Sequence, residues 1–225
     1  PLDDGDPVSP AVHDAGDTAC QSAEGEGPWH HSLEEWSSPD GITFTHVRTF
    51  QVCADVPSVA QGPDGLWVAV YQAWETRSDK TRWDKIAVRF SDNDAETWSS
   101  QTFITVEGLP DGTGRPFDPA IAYDPASELW RLYFSLTTNT QNQLDGDVCT
   151  HSATSDDGVN YVYEAETRFC ADNKPVIDPT VALWDGTWFY IAPSGAPQDG
   201  AYFATSEDGI AFTEGISATD EPAIV

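Results

Sequence analysis

With 225 residues, 39% of them hydrophobic and 12% aromatic, the chain has enough apolar material to bury a sizeable core, which excludes disorder over most of its length. Its 38 acidic against 10 basic residues give a net charge of −28, which repels nucleic-acid phosphates and anionic lipid and favours neutral or cationic partners. No apolar run reaches the ~20 residues of a membrane-spanning helix, and nine Trp, ten Phe and seven Tyr suit strands better than helices.

The absence of Met and the opening Pro1-Leu2-Asp3-Asp4 are expected of a processed or trimmed start. Ser9-Pro10-Ala11-Val12 then opens a unit that recurs at the length of a propeller blade. Trp29, His30 and His31 follow, and Ser38-Pro39-Asp40-Gly41-Ile42-Thr43-Phe44 forms a turn. In that turn the Asp can accept backbone N–H groups, the Gly takes positive φ and the aromatic folds back under the hairpin. A second unit starts at Val56-Pro57-Ser58-Val59, runs through the apolar strand Leu66–Tyr71 and the segment Lys85–Phe90, and reaches a longer turn, Ser91-Asp92-Asn93-Asp94-Ala95-Glu96-Thr97-Trp98. The third starts at Asp118-Pro119-Ala120-Ile121, continues as Leu129–Phe134 and turns at Ser155-Asp156-Asp157-Gly158-Val159-Asn160-Tyr161. The fourth starts at Asp178-Pro179-Thr180-Val181, continues as Thr187–Ile191 and Ala201–Thr205, and turns at Ser206-Glu207-Asp208-Gly209-Ile210-Ala211-Phe212. Glu221-Pro222-Ala223-Ile224 opens a fifth unit one strand long.

These five starts, near 9, 56, 118, 178 and 221, predict one all-β domain over residues 1–225: a five-bladed β-propeller of four-stranded antiparallel blades, the last incomplete. Each blade should run inner strand, second strand, third strand, Asp-turn, outer strand. The nearly continuous apolar second strands suit burial on both faces by neighbouring blades. Cys53 and Cys170 occupy matching places after an outer strand, while Cys20 and Cys149 each precede the turn of their own blade, so the repeat predicts Cys20–Cys53 and Cys149–Cys170 disulfides. Four cysteines without C-x-x-C spacing fit a secreted, cell-surface or periplasmic protein rather than a zinc or redox site. The scattered histidines are assigned no metal.

The short turn resembles the Asp-box of sialidases and other secreted propellers. The starts Ile177-Asp178-Pro179-Thr180-Val181 and Glu221-Pro222-Ala223-Ile224-Val225 resemble inner strands of the five-bladed glycoside hydrolases, the family 43 arabinanases and xylosidases and their relatives. That resemblance implies three carboxylates converging on a central funnel: Glu221 as general acid, Asp178 as the residue that orients and tunes it, and an Asp general base from an early blade. The aligned residues of the first two blades are Ser9 and Val56, so the base falls to Asp118, or to Asp55 or Asp6 beside those starts. A sialidase needs clustered arginines against its carboxylate sugar, and seven Arg with no Arg-Ile-Pro motif fit this worse, Arg115-Pro116 being the nearest approach.

Crowded carboxylates at Asp118, Asp178 and Glu221 could split into acid and base roles. An acid before Pro can equally cap the entry of a strand by accepting backbone hydrogen bonds. Trp67, Trp130 and Trp188 recur in second strands and are expected in the core, whereas Trp29, Trp74 and Trp83 break the repeat, are expected in loops and are candidates for stacking on a sugar. Two functions follow: a glycoside hydrolase acting on a poly- or oligosaccharide by carboxylate acid–base catalysis without a cofactor, inverting if active, or a non-catalytic propeller that binds glycan or a surface protein.

Overall fold

The computed structural model describes residues 27–75, 79, 81–137, 148–172, 174–194 and 200–216. Among them the only helical element is one 3-10 turn, Pro28–His30, and the rest of the regular structure is β. A hairpin of β1 (Ser32–Ser37) and β2 (Thr45–Val52) leads into a sheet of β3 (Ala54–Gln61), β4 (Trp67–Trp74), β5 (Trp83–Ser91) and β6 (Thr102–Phe103) in sequential order. The next sheet contains β8 (Phe117–Asp124), β9 (Leu129–Thr137), β10 (Val148–Ser155) and β11 (Asn160–Phe169). The last holds β12 (Thr180–Trp184), β13 (Thr187–Pro193), β14 (Ala201–Ser206) and β15 (Thr213–Ile216). These antiparallel meanders follow the predicted strand order, with each Asp-turn between third and outer strands. One strand departs from it. β7 (Thr105–Glu107) leaves the edge of one blade and pairs in parallel with β11, giving the neighbouring blade a fifth strand.

The turns close as their residue types dictate. Asp157 Oδ1 accepts the N–H groups of Val159 and Asn160, both at 2.7 Å, while Ser155 Oγ donates to the same oxygen and accepts from Gly158 N. Asp40 and Asp208 repeat the pattern. In the longer turn Asn93 takes the Asp place and its Oδ1 accepts from Thr97 N. Hydrogen bonding to the charged form holds Asp40 down at about 2, the Thr43 N–H being its largest cause. Against burial, which opposes ionisation, the Asn160 contacts hold Asp157 at about 2.

Blades join through these turns. Arg48 of β2 donates to the carbonyls of Glu96 and Ala95, and Arg131 of β9 donates to that of Asp208 while Tyr133 donates to that of Gly209. Second strands supply the core: Val68, Val70, Leu132, Phe134 and Tyr190 are fully buried, and Trp130 and Trp188 lie beneath the turns. Inner strands β3, β8 and β12 line one axial cavity of about 420 Å³, bounded by residues such as Val59, Ile121, Tyr123 and Val181. Cys149 and Cys170 form the predicted disulfide. Cys53 is also disulfide-bonded, and its expected partner Cys20 lies outside the described residues, as do the blade starts at Ser9 and Glu221.

Candidate active site

Where the chain enters each inner strand, the residue before proline takes a left-handed backbone: Val56 at φ 49°, Asp118 at 52° and Asp178 at 51°. The β3–β4 register shifts between Asp55 and Ser58, and the β8–β9 register between Phe117 and Ala120, so the two starts carry the same bulge. A bulge re-aims side chains that a regular strand would alternate between faces. Positive φ is tolerated by Asp and is a true outlier for β-branched Val, so the conformation belongs to the repeat and not to the residue that occupies it.

These starts bring three carboxylates within electrostatic reach of one another. Asp118 is pushed up to about 7, first by burial and then by the charge of Asp178, against an N–H donated by the Asp178 backbone and the positive charge of Arg115. Burial also raises Asp178, with the charge of Asp55 as the second cause. Asp55 accepts from its neighbour Val56 N at 2.8 Å, and its other oxygen lies 2.8 Å from His31 Nδ1. Of the sequence candidates, then, Asp118 and Asp178 come together and Asp55 joins them. Glu221 and Asp6 lie outside the described residues.

Arg115 is held between two acids. Its guanidinium binds Asp84 at the start of β5, Gln72 Nε2 donates to the other oxygen of Asp84 at 2.8 Å, and the charge of Arg115 acts on Asp118. Gln72 is 1% exposed and stands opposite Asp55 in the β3–β4 pairing. Gln72 and Asp84 carry no sequence signal, since neither belongs to the repeat, and His31 stands out in the sequence only as one of the scattered histidines beside Trp29. Arg115 stands out there only as a failed motif, although its place three residues before Asp118 was a usable signal.

Trp74 and Trp83 face each other as the last register pair of the β4–β5 hairpin rather than lying in a loop, and Trp74 is 6% exposed. Trp83 is half-buried and tilts against Trp29 with ring centroids 5.8 Å apart. The Trp29–Trp83 pair thus leaves two half-buried rings in contact, while Trp74 is buried. Among the described residues no group of three His, Cys, Asp or Glu side chains is arranged to hold a metal ion.

No protein-family model and no curated protein matches the sequence. Solved structures do match the fold. A family 117 glycoside hydrolase from the marine bacterium Zobellia galactanivorans superposes with a TM-score of 0.62 at 14% identity, covering 83% of this chain and 56% of that one. A thermostable family 43 glycoside hydrolase gives 0.61 at 12% identity, covering 84% and 66%. An inulosucrase from Halalkalicoccus jeotgali, solved with kestose, gives 0.57 at 14% identity, covering 84% and 57%. The chain therefore spans about half to two-thirds of the length of these matched structures, and its fold is that of the five-bladed β-propeller glycoside hydrolases.

Proposed function

We propose that the chain carries the carboxylate centre of a secreted, cell-surface or periplasmic glycoside hydrolase acting on a poly- or oligosaccharide. The observation that carries this reading is the Asp118–Asp178 pair: two half-buried carboxyls on successive blade starts, Asp118 pushed up to about 7 first by burial and then by the charge of Asp178. A carboxyl poised near the working pH is suited to proton transfer. Asp118, once ionised, takes a proton from water as the water oxygen bonds to the anomeric carbon on the face opposite the leaving group. Glu221 protonates the leaving oxygen as the glycosidic bond breaks, a role that rests on the resemblance alone. Asp178 fixes the charge state of its partners, and Trp29 and Trp83 offer rings to a sugar face. The enzymes of like fold support a carbohydrate substrate, and the disulfide supports an oxidising compartment.

One feature favours the binding alternative: Val56 stands where the resemblance expects the base, and Asp55 is engaged by His31 and by the backbone. The experiment assays the full chain against arabinan, xylan and aryl glycosides, with Asp118→Asn, Asp178→Asn and Glu221→Gln beside it. Each substitution is expected to lower the rate by ~10²- to 10⁴-fold with the fold intact. A wild-type chain that turns over nothing, or variants that match it, leaves the binding reading, which retention on immobilised glycans then tests.

A further inference from the structure

We propose that Arg115 is a positioning residue shared between Asp84 and Asp118, and that Asp84 decides how much of the guanidinium charge reaches Asp118. Arg115 is largely buried, its partner Asp84 is anchored by the buried amide of Gln72, and Asp118 follows three residues later at the head of β8. A guanidinium carries one charge, and an acid in direct contact with it screens that charge from a second acid nearby. Among the described residues the other charges that act on Asp118 are like ones, from Asp178 at the start of the next blade and from Asp55, which is itself joined to His31. With Asp84 in place Asp118 therefore keeps its proton towards neutral pH. Without the negative charge of Asp84 the guanidinium charge is no longer offset at Asp118, and the carboxyl ionises earlier.

The geometry lends itself to a clean substitution. Asp84 has φ 60°, a conformation that Asn tolerates as readily as Asp. In Asp84→Asn the amide oxygen can still accept from Gln72, while the oxygen bound to Arg115 becomes an NH₂ group that cannot accept. The inference rests on the carboxylate centre of the proposed function, but its test needs no turnover. The full chain is labelled with ¹³C at Asp carboxyls, the Asp118 resonance is assigned by its loss in Asp118→Asn, and its pH midpoint is read in each variant. Asp84→Asn is expected to lower the midpoint by about one pH unit and Arg115→Gln to raise it by a similar amount. Should Arg115→Gln fail to fold, Asp84→Asn alone decides: a fall supports the inference, and an unmoved or raised midpoint overturns it. A chain that cleaves no glycan yet shows the fall sinks the hydrolase reading alone. An active chain with an unmoved midpoint sinks this inference alone.

Discussion

Asp118 makes its residue-scale demand on stability through linkage. Its folded pKa is about 7, against about 3.9 for an unhindered Asp. Below about pH 4 both states hold the proton and the site costs nothing. As pH rises towards 7 the unfolded chain releases the proton and the folded chain resists, so stability falls by up to about 4 kcal/mol across that window. Asp118→Asn removes the titration while keeping an oxygen to accept the Asp178 N–H, and Asn is at ease at φ 52°. Denaturant melts should therefore find the variant more stable than wild type by a few kcal/mol at pH 8 and equal to it near pH 4. A variant less stable at pH 8 would show that Asp118 is held by favourable contacts and not against desolvation.

Among the elements, the Asp-turn joins a local rule to an inter-blade contact, and two glycines separate them. Gly41 and Gly209 share nearly the same backbone, φ 71° and 72°, so an added Cβ strains both alike. At Gly41 that Cβ meets nothing within 4 Å, whereas at Gly209 it comes within 2.8 Å of Arg131 and Tyr133 and 2.9 Å of the Trp188 ring. Gly41→Ala should cost about 1–2 kcal/mol from the left-handed backbone alone, and Gly209→Ala should add about 1–3 kcal/mol of overpacking, because Arg131 is pinned by Asp124 and Glu164. Equal losses in paired melts would mean that the blades yield at this seam. The turns were legible in the sequence because one residue type does one job at a fixed offset: Ser and Asp each accept a named backbone N–H within the turn, and Gly takes its positive φ. The apolar second strands β4 and β9 were legible because burial on both faces leaves no room for alternation, whereas β13, equally apolar in sequence, alternates half-buried and buried residues. The parallel β7 was not, since three residues at a blade edge, Thr105–Glu107, have no pattern that distinguishes a crossing from a continuing outer strand. At the site, Asp118 and Asp178 stood out because each is an acid before the proline that opens its blade, where the first two blades have Ser9 and Val56. Asp84, Gln72 and His31 reach the same region by tertiary packing alone, and no spacing announces that.

Over the whole molecule, acid and base responses oppose one another, and the two strongest, from Asp118 on β8 and His151 on β10, share one blade. The turn carboxylates of Asp40 and Asp157, depressed to about 2, and Asp208, also depressed, contribute stability that is present above the ordinary Asp value and lost as pH falls through about 2. Between about pH 4 and 7 two buried groups pull in opposite senses. Asp118 destabilises the folded chain as pH rises, and Asp178, raised by burial, adds to that slope. His151 does the reverse: burial and then the charge of Arg168 depress it to about 4, so folding is opposed as pH falls from about 6.5 towards 4 and the unfolded chain takes up the proton. The net charge of −28 adds self-repulsion as carboxylates ionise, a long-range effect that moderate salt screens, while the buried groups are screened much less. At about 0.2 M salt the full-length protein should accordingly show a nearly flat melting temperature between about pH 4 and 7, declining slightly by the part that Asp178 adds, and a fall below that range. The flatness is a cancellation, and single substitutions should break it in opposite directions. Asp118→Asn should leave a melting temperature that rises from pH 4 to 6.5. His151→Gln, which can still hydrogen-bond the Tyr163 hydroxyl that His151 Nδ1 meets at 2.8 Å, should leave one that falls over the same range. Slopes of the same sign in both variants would show that the plateau has some other origin than these two buried groups.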